Sequence, residues 1–374
     1  MRFATVALIS ALIAAPAAVA QAASDGEVER LVARELKPIL PADGAGGAAV
    51  AVRIDGRTLF FNYGFADLAA KRPIASDSLF NLASLRKLFE VTLLARAVKR
   101  GELKLDDPVA RYVVELQQGG YIRAVTLGQL ATHTSGLLLP SDSPPWPERR
   151  YSQAEFIGMV NAWAPDKGQQ PGRQHIYTHT AFMLLQLALE RRYRTPIGEL
   201  IGRHLLEPLG MTSTVFGARG TDGRGELPPA LMPRAVQGYT KEGEPMGAPG
   251  DQEGYYDIPG TEQIFSSSRD MAALLAANLG ELATDPTLRD AMRLTQRGIF
   301  KISPNNTQAL AWEVNDYGGP IIVDKPGGLD NSSTYIGIVP AKRLGVVILS
   351  NRGYQHPFEI ARATLLPALA RRSP

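Results

Sequence analysis

The sequence contains no cysteine among its 374 residues. Disulfide bonds and thiolate metal sites are therefore excluded, and the protein must be held together by its core. Histidine is also scarce, with five residues and no His-Glu-x-x-His arrangement. His175 and His179 lie four residues apart, but the Tyr177-Thr178 pair between them is typical of a loop that enters a helix. We therefore expect neither a metal site nor a cofactor.

Long runs of one charge are missing as well. The formal net charge is only +3, and the basic clusters extend no further than Arg149-Arg150 and Arg191-Arg192. Binding to nucleic acid needs a denser positive surface, so we expect no nucleic-acid partner. With 45% hydrophobic and 21% charged residues, the composition is that of a soluble globular protein. The chain is long enough for one or two domains, and we expect a monomer.

A long apolar run occurs at the amino terminus, in residues 1–23. Arg2 is followed by an alanine-rich stretch that contains Pro16 and ends in Ala18-Val19-Ala20. A basic start, a short apolar stretch and an Ala-x-Ala end predict a secretory signal peptide, whereas a membrane anchor would need a longer run. We therefore expect an exported, periplasmic protein with no membrane segment after the signal is removed.

Hydrophobic periodicity predicts helices in three parts of the chain and strands near both ends. The predicted helices are residues 27–38, 84–100, 127–132, 154–163, 181–192, 197–206 and 357–370. Two β-rich runs, 46–54 and 57–64, are joined by Asp55-Gly56, which is a strong hairpin signal. The late strands are predicted at residues 310–314, 321–324, 333–339 and 344–350.

This order of elements predicts an α+β fold. Strands from both chain ends would form one antiparallel sheet flanked by helices, and a mainly helical domain would be inserted between them. We place the sheet domain at residues 24–101 and 260–374, and the helical domain at residues 102–259.

The segment Ser84-Leu85-Arg86-Lys87 is the first candidate for chemistry. Residues three apart on a helix are neighbours on one face, so Lys87 would lie one turn from the Ser84 hydroxyl. A serine becomes a nucleophile when a base lies within hydrogen-bond reach, and burial or nearby cations favour a neutral lysine. Ser84 would also lie at the positive end of the helix dipole. Taken alone, the same four residues fit a helix cap followed by a solvated lysine.

Three further segments follow in a fixed order: residues 130–137 (LATHTSGL), 174–179 (QHIYTH) and 323–328 (VDKPGG). In order and spacing, these segments resemble the serine β-lactamase and penicillin-binding-protein superfamily, and most closely its class C β-lactamases. The resemblance covers about residues 30–370 and includes the non-catalytic stretches 105–112, 207–214 and 349–354. It implies the β-lactamase/transpeptidase-like fold.

The resemblance also implies roles for individual residues. Ser84 would be the nucleophile and Lys87 its proton partner, while Tyr177 matches a family tyrosine that accepts and returns a proton. Lys325 would help to hold Tyr177 and the substrate. The backbone N–H groups of Ser84 and Gly328 would form the oxyanion hole. Substrate contacts are expected from His179, Gly327, Gly328 and Ser141.

His179 stands where the family has an asparagine. A histidine can donate or accept a hydrogen bond, and its charge changes near neutral pH. We weigh two interpretations: His179 replaces the asparagine's contact or alters acyl-enzyme turnover, or it only packs. If His179 must be neutral, activity should fall as the pH drops through its pKa, and His179→Asn should flatten that limb.

Other departures concern the recognition of a substrate carboxylate. Pro326 stands where the family has a threonine, which removes a hydroxyl and an N–H, although an edge strand tolerates proline. His356 and Glu359 match the positions of a family asparagine and arginine that approach the carboxylate. The connection between Trp312 and Lys325 is short for the family, which would leave the cleft open.

These features favour a secreted serine β-lactamase that acts through an acyl-enzyme on Ser84. A D-alanyl-D-alanine peptidase or a serine esterase of the same fold is the second interpretation, and a catalytically silent sensor is the third. The expected partner is a small β-lactam substrate, or a peptidoglycan peptide in the second interpretation.

Overall fold

The computed structural model describes residues 24–139, 142, 152–216, 218–219, 225–250 and 263–373 of the chain. The predicted signal peptide, residues 1–23, and the candidate Ser141 lie outside these residues. Within the described part of the chain, no helix has both the length and the apolar character needed to cross a lipid bilayer.

A nine-stranded antiparallel sheet forms the centre of the fold. The strands of the chain are β1 (Gly47–Ile54), β2 (Arg57–Asp67), β3 (Arg72–Pro73), β4 (Phe80–Asn81), β5 (Val215–Phe216), β6 (Ala218–Arg219), β7 (Gly225–Glu226), β8 (Ile264–Ser266), β9 (Phe300–Ser303), β10 (Asn306–Gln308), β11 (Glu313–Asn315), β12 (Ile322–Leu329), β13 (Ser332–Val339) and β14 (Leu344–Ser350). The large sheet has the order β3-β2-β1-β14-β13-β12-β11-β10-β9. A small sheet has the order β4-β8-β5, and β6 pairs with β7.

Strands from the two ends of the chain are direct neighbours in the large sheet. β1 pairs with β2 on one side and with β14 on the other. Asp55 and Gly56 form the predicted hairpin turn, and both adopt the left-handed conformation, with φ of 51° and 74°. The predicted α+β fold, with a sheet built from both chain ends, is confirmed.

Helices cover both faces of the large sheet. They are α1 (Asp25–Leu36), α2 (Arg86–Lys99), α3 (Leu127–Ala131), α4 (Gln153–Ala162), α5 (His179–Tyr193), α6 (Ile197–Ile201), α7 (Glu207–Leu209), α8 (Ser268–Asn278), α9 (Pro286–Thr295), α10 (Pro357–Ile360) and α11 (Leu366–Ala370). π-Helical turns join α6 to α7 (Gly202–Leu206) and α10 to α11 (Ala361–Leu365). Short 3-10 helices occupy Lys37–Ile39, Ala83–Leu85, Val109–Arg111, Val114–Gln118, Tyr121–Ala124, Met232–Arg234 and Pro340–Lys342.

The alternation of side chains along β1 explains why helices lie on both faces. Val50 and Val52 point into a core shared with α1 and α11. Ala49 and Ala51 point into the opposite core, which contains residues of α2 and α8. Because successive side chains of a strand point to opposite faces, a strand buried on both faces reads as a continuous apolar run.

The middle of the chain packs against α2. Leu94 of α2 shares one hydrophobic cluster with Leu184 of α5 and with Leu274 of α8. This cluster crosses the predicted boundaries near residues 101 and 260, so the division into two domains stays a prediction. The continuous core places the amino end of α2 between the sheet and the helical middle.

Three local differences from the sequence prediction concern the carboxy-terminal third. The predicted strand 310–314 begins only at Glu313, because Ala311 is left-handed (φ 57°) and donates its N–H to Ala131 of α3 at 2.9 Å. The predicted strand 321–324 continues through Pro326 to Leu329. The helices α8 and α9 lie outside the predicted ones.

A buried polar cluster is centred on Asp324 of β12. Its carboxylate accepts hydrogen bonds from Arg362 Nε (2.6 Å) and Nη2 (2.7 Å), from the Tyr335 hydroxyl (2.8 Å) and from the Asn315 amide (2.9 Å). The side chain of Asp324 is fully buried, and burial raises its pKa although Arg362 opposes this. The ion pair fixes the Ala361–Leu365 turn to β12, directly beside Lys325.

We expect Asp324→Asn to lower the free energy of unfolding by about 3 kcal/mol, because it removes the fully buried one of the two carboxylates that bind the half-buried Arg362 guanidinium. Urea denaturation of the wild type and the variant measures this. Asp290→Asn, on the exposed side of α9, is the matched control and should change stability by less than about 0.5 kcal/mol. Equal stability of both variants would contradict a structural role for the Asp324 charge.

Candidate active site

Ser84 lies in the 3-10 turn Ala83–Leu85, immediately before α2. Ala83 is left-handed (φ 49°), and its N–H donates to the Asn81 side chain at 2.8 Å. Thr334 of β13 donates to the Leu82 carbonyl at 3.0 Å, which ties the turn to the large sheet. A non-glycine residue in this backbone region costs about 1–3 kcal/mol and persists only where its surroundings fix it. The turn therefore holds the Ser84 hydroxyl at a set position.

Lys87 follows one helical turn later, as the spacing predicts. Its Nζ lies 3.4 Å from Ser84 Oγ, and only 4% of the residue is exposed. Burial and then the neighbouring Arg86 guanidinium lower the pKa of Lys87 to about 7, although Glu90 and Asp142 oppose this. A substantial share of Lys87 is therefore neutral at neutral pH and can accept a proton.

Tyr177 brings a second proton-transfer group to the same hydroxyl. Its phenolic oxygen lies 2.7 Å from Ser84 Oγ. The Nζ atoms of Lys87 and Lys325 lie 5.2 Å and 4.9 Å from its ring centroid. Tyr177 is 38% exposed, whereas both lysines are buried, so the three groups meet at the boundary between core and solvent.

His133 and Asp142 position the segment that carries Tyr177. The His133 ring lies 4.2 Å from the Tyr177 ring, and its Nδ1 accepts the Thr178 N–H at 3.3 Å. Asp142 caps α5 by accepting the backbone N–H groups of His179 (2.6 Å) and Thr180 (2.9 Å). Such a carboxylate at a helix start is also favoured by the helix dipole. The sequence predicts a role for neither residue, although His133 lies in the matched segment 130–137.

Gly327 lets β12 approach the nucleophile turn. A Cβ atom at this position would lie 2.3 Å from Thr334 Oγ1 and 3.1 Å from the Ser84 backbone nitrogen. A Cβ at Gly328 would meet no atom within 4 Å, so this residue opens toward the cleft. The close approach places the expected oxyanion donors, the N–H groups of Ser84 and Gly328, on adjacent segments.

Pro326 lies on the free edge of β12. The two-residue turn Asp330-Asn331 is closed by the pair Leu329 and Ser332, and hydrogen-bonded pairs alternate along an antiparallel ladder. Residues 326 and 328 therefore direct their backbone nitrogens away from β13. The pairing of β11 with β12 ends at Asp324, so the proline removes no ladder hydrogen bond.

His179 begins α5 and lies beside Tyr177, with the two rings perpendicular and 5.7 Å apart. Burial, followed by the charges of Lys87, Arg86 and Lys325, holds the pKa of His179 well below its usual range. The imidazole is therefore neutral around pH 7. A pH limb that belongs to this histidine must lie well below its ordinary pKa.

These residues open into a cleft of about 680 Å³. Among the described residues, the lining consists of Ser84, Tyr177, His179, Glu313, Lys325, Pro326, Gly327, Gly328, Leu329, Asp330, Ser333, Tyr354, His356, Pro357 and Phe358. His356 lies in the lining as predicted, whereas Glu359 is exposed on α10 and outside it. Within the described residues of the cleft, the carboxylates are instead those of Glu313 and Asp330.

The structure thus brings the four predicted catalytic residues, Ser84, Lys87, Tyr177 and Lys325, to one point. The predicted contact residues His179, Gly327 and Gly328 line the same cleft. Their catalytic and binding roles stay predictions. Across the described part of the chain, His, Asp and Glu form no group of three that could hold a metal ion.

The chain is similar to known proteins over nearly its whole length. The sequence profile of the β-lactamase family matches residues 27–370. A β-lactamase of Pseudomonas fluorescens is 27% identical over 371 residues, which cover 90% of this chain and 97% of that protein. A class C β-lactamase in complex with cefoxitin has a TM-score of 0.79 and 26% identity, covering 92% of this chain and 99% of that one. A D-alanine carboxypeptidase from Burkholderia cenocepacia has a TM-score of 0.77 and 27% identity, covering 92% and 100%.

We expect the rate of Ser84 acylation to fall as the pH drops through about 7, the pKa of Lys87, because the protonated amine cannot accept a proton. His179→Asn should leave this limb in place, since the pKa of His179 lies well below it. Acylation rates measured from pH 5 to 9, about two pH units to either side of the Lys87 pKa, test this.

The matched control for this profile is His204→Asn, at a histidine outside the cleft lining. This variant should show the wild-type limb. If the limb near neutral pH disappears in His179→Asn alone, the titrating base is the histidine and not Lys87.

Proposed function

The chain belongs to the β-lactamase family, and we propose that it is a serine β-lactamase of the class C type. Ser84 opens the lactam ring and carries the acyl group as an ester until water releases it. Two distances support the proposal: Ser84 Oγ lies 2.7 Å from the Tyr177 hydroxyl and 3.4 Å from Lys87 Nζ. A serine with two proton-transfer groups in reach can lose its proton as it attacks.

Acylation follows from this geometry. Neutral Lys87, directly or through Tyr177, takes the Ser84 proton while Oγ attacks the lactam carbonyl carbon. The carbonyl oxygen becomes an oxyanion and is held by the N–H groups of Ser84 and Gly328. The bond from this carbon to the ring nitrogen then breaks, and Tyr177 delivers the proton to the leaving nitrogen. Lys325, 4.9 Å from the Tyr177 ring centroid, stabilises negative charge on the phenol oxygen.

Deacylation uses the same groups in reverse order. Water attacks the ester carbonyl, and Tyr177 accepts a proton from the water in place of the one it gave to the ring nitrogen. Protonated Lys87 returns a proton to the Ser84 oxygen as this oxygen leaves. His179 is neutral and lies beside Tyr177, so its imidazole can accept a hydrogen bond from the attacking water. The histidine would in this way take over a contact that the family makes with an asparagine.

A D-alanyl-D-alanine carboxypeptidase or a serine esterase is the second candidate. Pro326 offers neither a hydroxyl nor an N–H on the cleft edge of β12, and Glu313 and Asp330 bring negative charge into the cleft. Both features weaken the recognition of an anionic substrate and therefore favour the esterase. The carboxypeptidase is supported by a structural relative, which is named a D-alanine carboxypeptidase. We also propose export to the periplasm, where either substrate would be met; the pattern of residues 1–23 supports this.

Hydrolysis of a chromogenic cephalosporin by the purified protein tests the function. Wild type should complete many turnovers, and Ser84→Ala should lose at least about a thousandfold in kcat, because no acyl-enzyme can form. A single burst followed by a long-lived acyl-enzyme would favour the carboxypeptidase. Turnover of short acyl esters without labelling by lactams would favour the esterase, and equal rates for Ser84→Ala would exclude Ser84 as the nucleophile.

A further inference from the structure

One side of the cleft is an aromatic wall formed by Tyr354, His356 and Phe358. The Tyr354 hydroxyl donates to Asp330 Oδ1 at 2.8 Å, at the end of β12. The His356 ring lies 6.3 Å from Tyr354 and 5.8 Å from Phe358, with the rings edge to face. The Arg362 guanidinium lies 5.3 Å from the Phe358 ring centroid. The wall therefore extends from Asp330 toward Asp324, along the free edge of β12.

The charge along this wall is mainly negative. Asp330 contributes a carboxylate at one end. Glu313 contributes another at the far end, where Lys325 and Arg362 lower its pKa in spite of its burial and keep it ionised. The Arg362 guanidinium is bound by both Glu313 (2.8 Å) and the buried Asp324. Among the described lining residues, Lys325 is the only lysine or arginine, and it lies against Tyr177.

The leaving group of an acylating substrate would lie at this wall. In the proposed reaction the carbonyl oxygen points to the N–H groups of Ser84 and Gly328, and Tyr177 delivers a proton to the leaving nitrogen. Tyr177 lies beside Lys325 on β12, and the aromatic wall follows the free edge of the same strand. Substituents on the leaving nitrogen therefore extend into the space between this edge and the wall.

We propose that the aromatic wall selects substrates whose leaving group carries a positive charge, such as β-lactams with a cationic substituent on the ring that contains the leaving nitrogen. The inference rests on the acyl-transfer function proposed above. A cation there meets the Tyr354 ring and the Asp330 carboxylate, which attract it together. A carboxylate at the same place meets Asp330 and Glu313 and is repelled.

Three forms of one chromogenic cephalosporin test the proposal: the free ring carboxylate, its methyl ester and its choline ester. These carry a negative charge, no charge and a positive charge on the same substituent of the same lactam. The rate of Ser84 acylation is followed by intact mass, and ring opening by absorbance. We expect the rates to rise in that order, with the choline ester about tenfold faster than the free acid, and high salt to narrow the difference.

Asp330→Asn assigns the selectivity to the wall. The variant keeps an acceptor for the Tyr354 hydroxyl but removes the charge, so the ratio of choline-ester to free-acid rates should fall about threefold or more. The ratio is an internal measure that a general loss of activity does not change. Asp290→Asn makes the same change of net charge on α9, outside the cleft lining, and should leave the ratio at the wild-type value.

The outcomes separate this inference from the proposed function. Equal rates for the three forms, or a preference for the free acid, would overturn the inference while labelling of Ser84 leaves the function standing. An unchanged ratio in Asp330→Asn would overturn the assignment to the wall. If no form acylates Ser84, the acyl-transfer function fails and the inference fails with it.

Discussion

The burial of Lys87 beside Arg86 is the constraint on which the chemistry of the cleft depends. An exposed lysine is protonated at neutral pH and has no lone pair to offer a serine. Removal from water disfavours the ammonium, and the adjacent guanidinium disfavours it further, so the pKa of Lys87 falls to about 7. Arg86 is itself buried. It forms an ion pair with Glu90 at 2.9 Å and donates a hydrogen bond to the Gln186 side chain of α5 at 3.1 Å. The packing around α2 therefore lowers the pKa of Lys87.

The fold brings together three remote parts of the chain around that base. The start of α2 supplies Ser84 and Lys87, the segment before α5 supplies Tyr177, and β12 supplies Lys325. Each part is fixed by contacts away from the reacting atoms: Asp142 caps α5, Thr334 holds the turn at Leu82, and Asp324 binds Arg362. Because the groups are held in place before a substrate arrives, little reorganisation is needed when it binds.

The spacing of Ser84 and Lys87 predicts their contact, because three residues make one helical turn. The meeting of Tyr177 and Lys325 with them could be predicted only from the order of several segments, since no local rule joins residues so far apart. The sequence does not predict the capping role of Asp142, because its partners, His179 and Thr180, lie 37 and 38 residues away. Arg86 gives no sign of burial in the sequence, and its partners reveal its role only in three dimensions.

Local patterns also fail where a charge depends on burial. The sequence predicts that His179 can titrate near neutral pH, yet two lysines and burial move its pKa well below the usual range. The expected position of Glu359 in the cleft is not observed, because the first turn of α10 directs the Glu359 side chain to solvent. Glu313, whose strand starts later than predicted, and Asp330, in a tight turn, supply the negative charge instead.

Direct titration of Lys87 is the closest test of whether this residue is the base in the cleft. NMR of protein labelled with carbon-13 at the lysine side chains, with Lys87→Arg used to assign the signal, reports the protonation of this amine. We predict a midpoint near 7. A midpoint close to the ordinary lysine value of about 10.4 would show that Lys87 stays protonated and is not the base in this cleft.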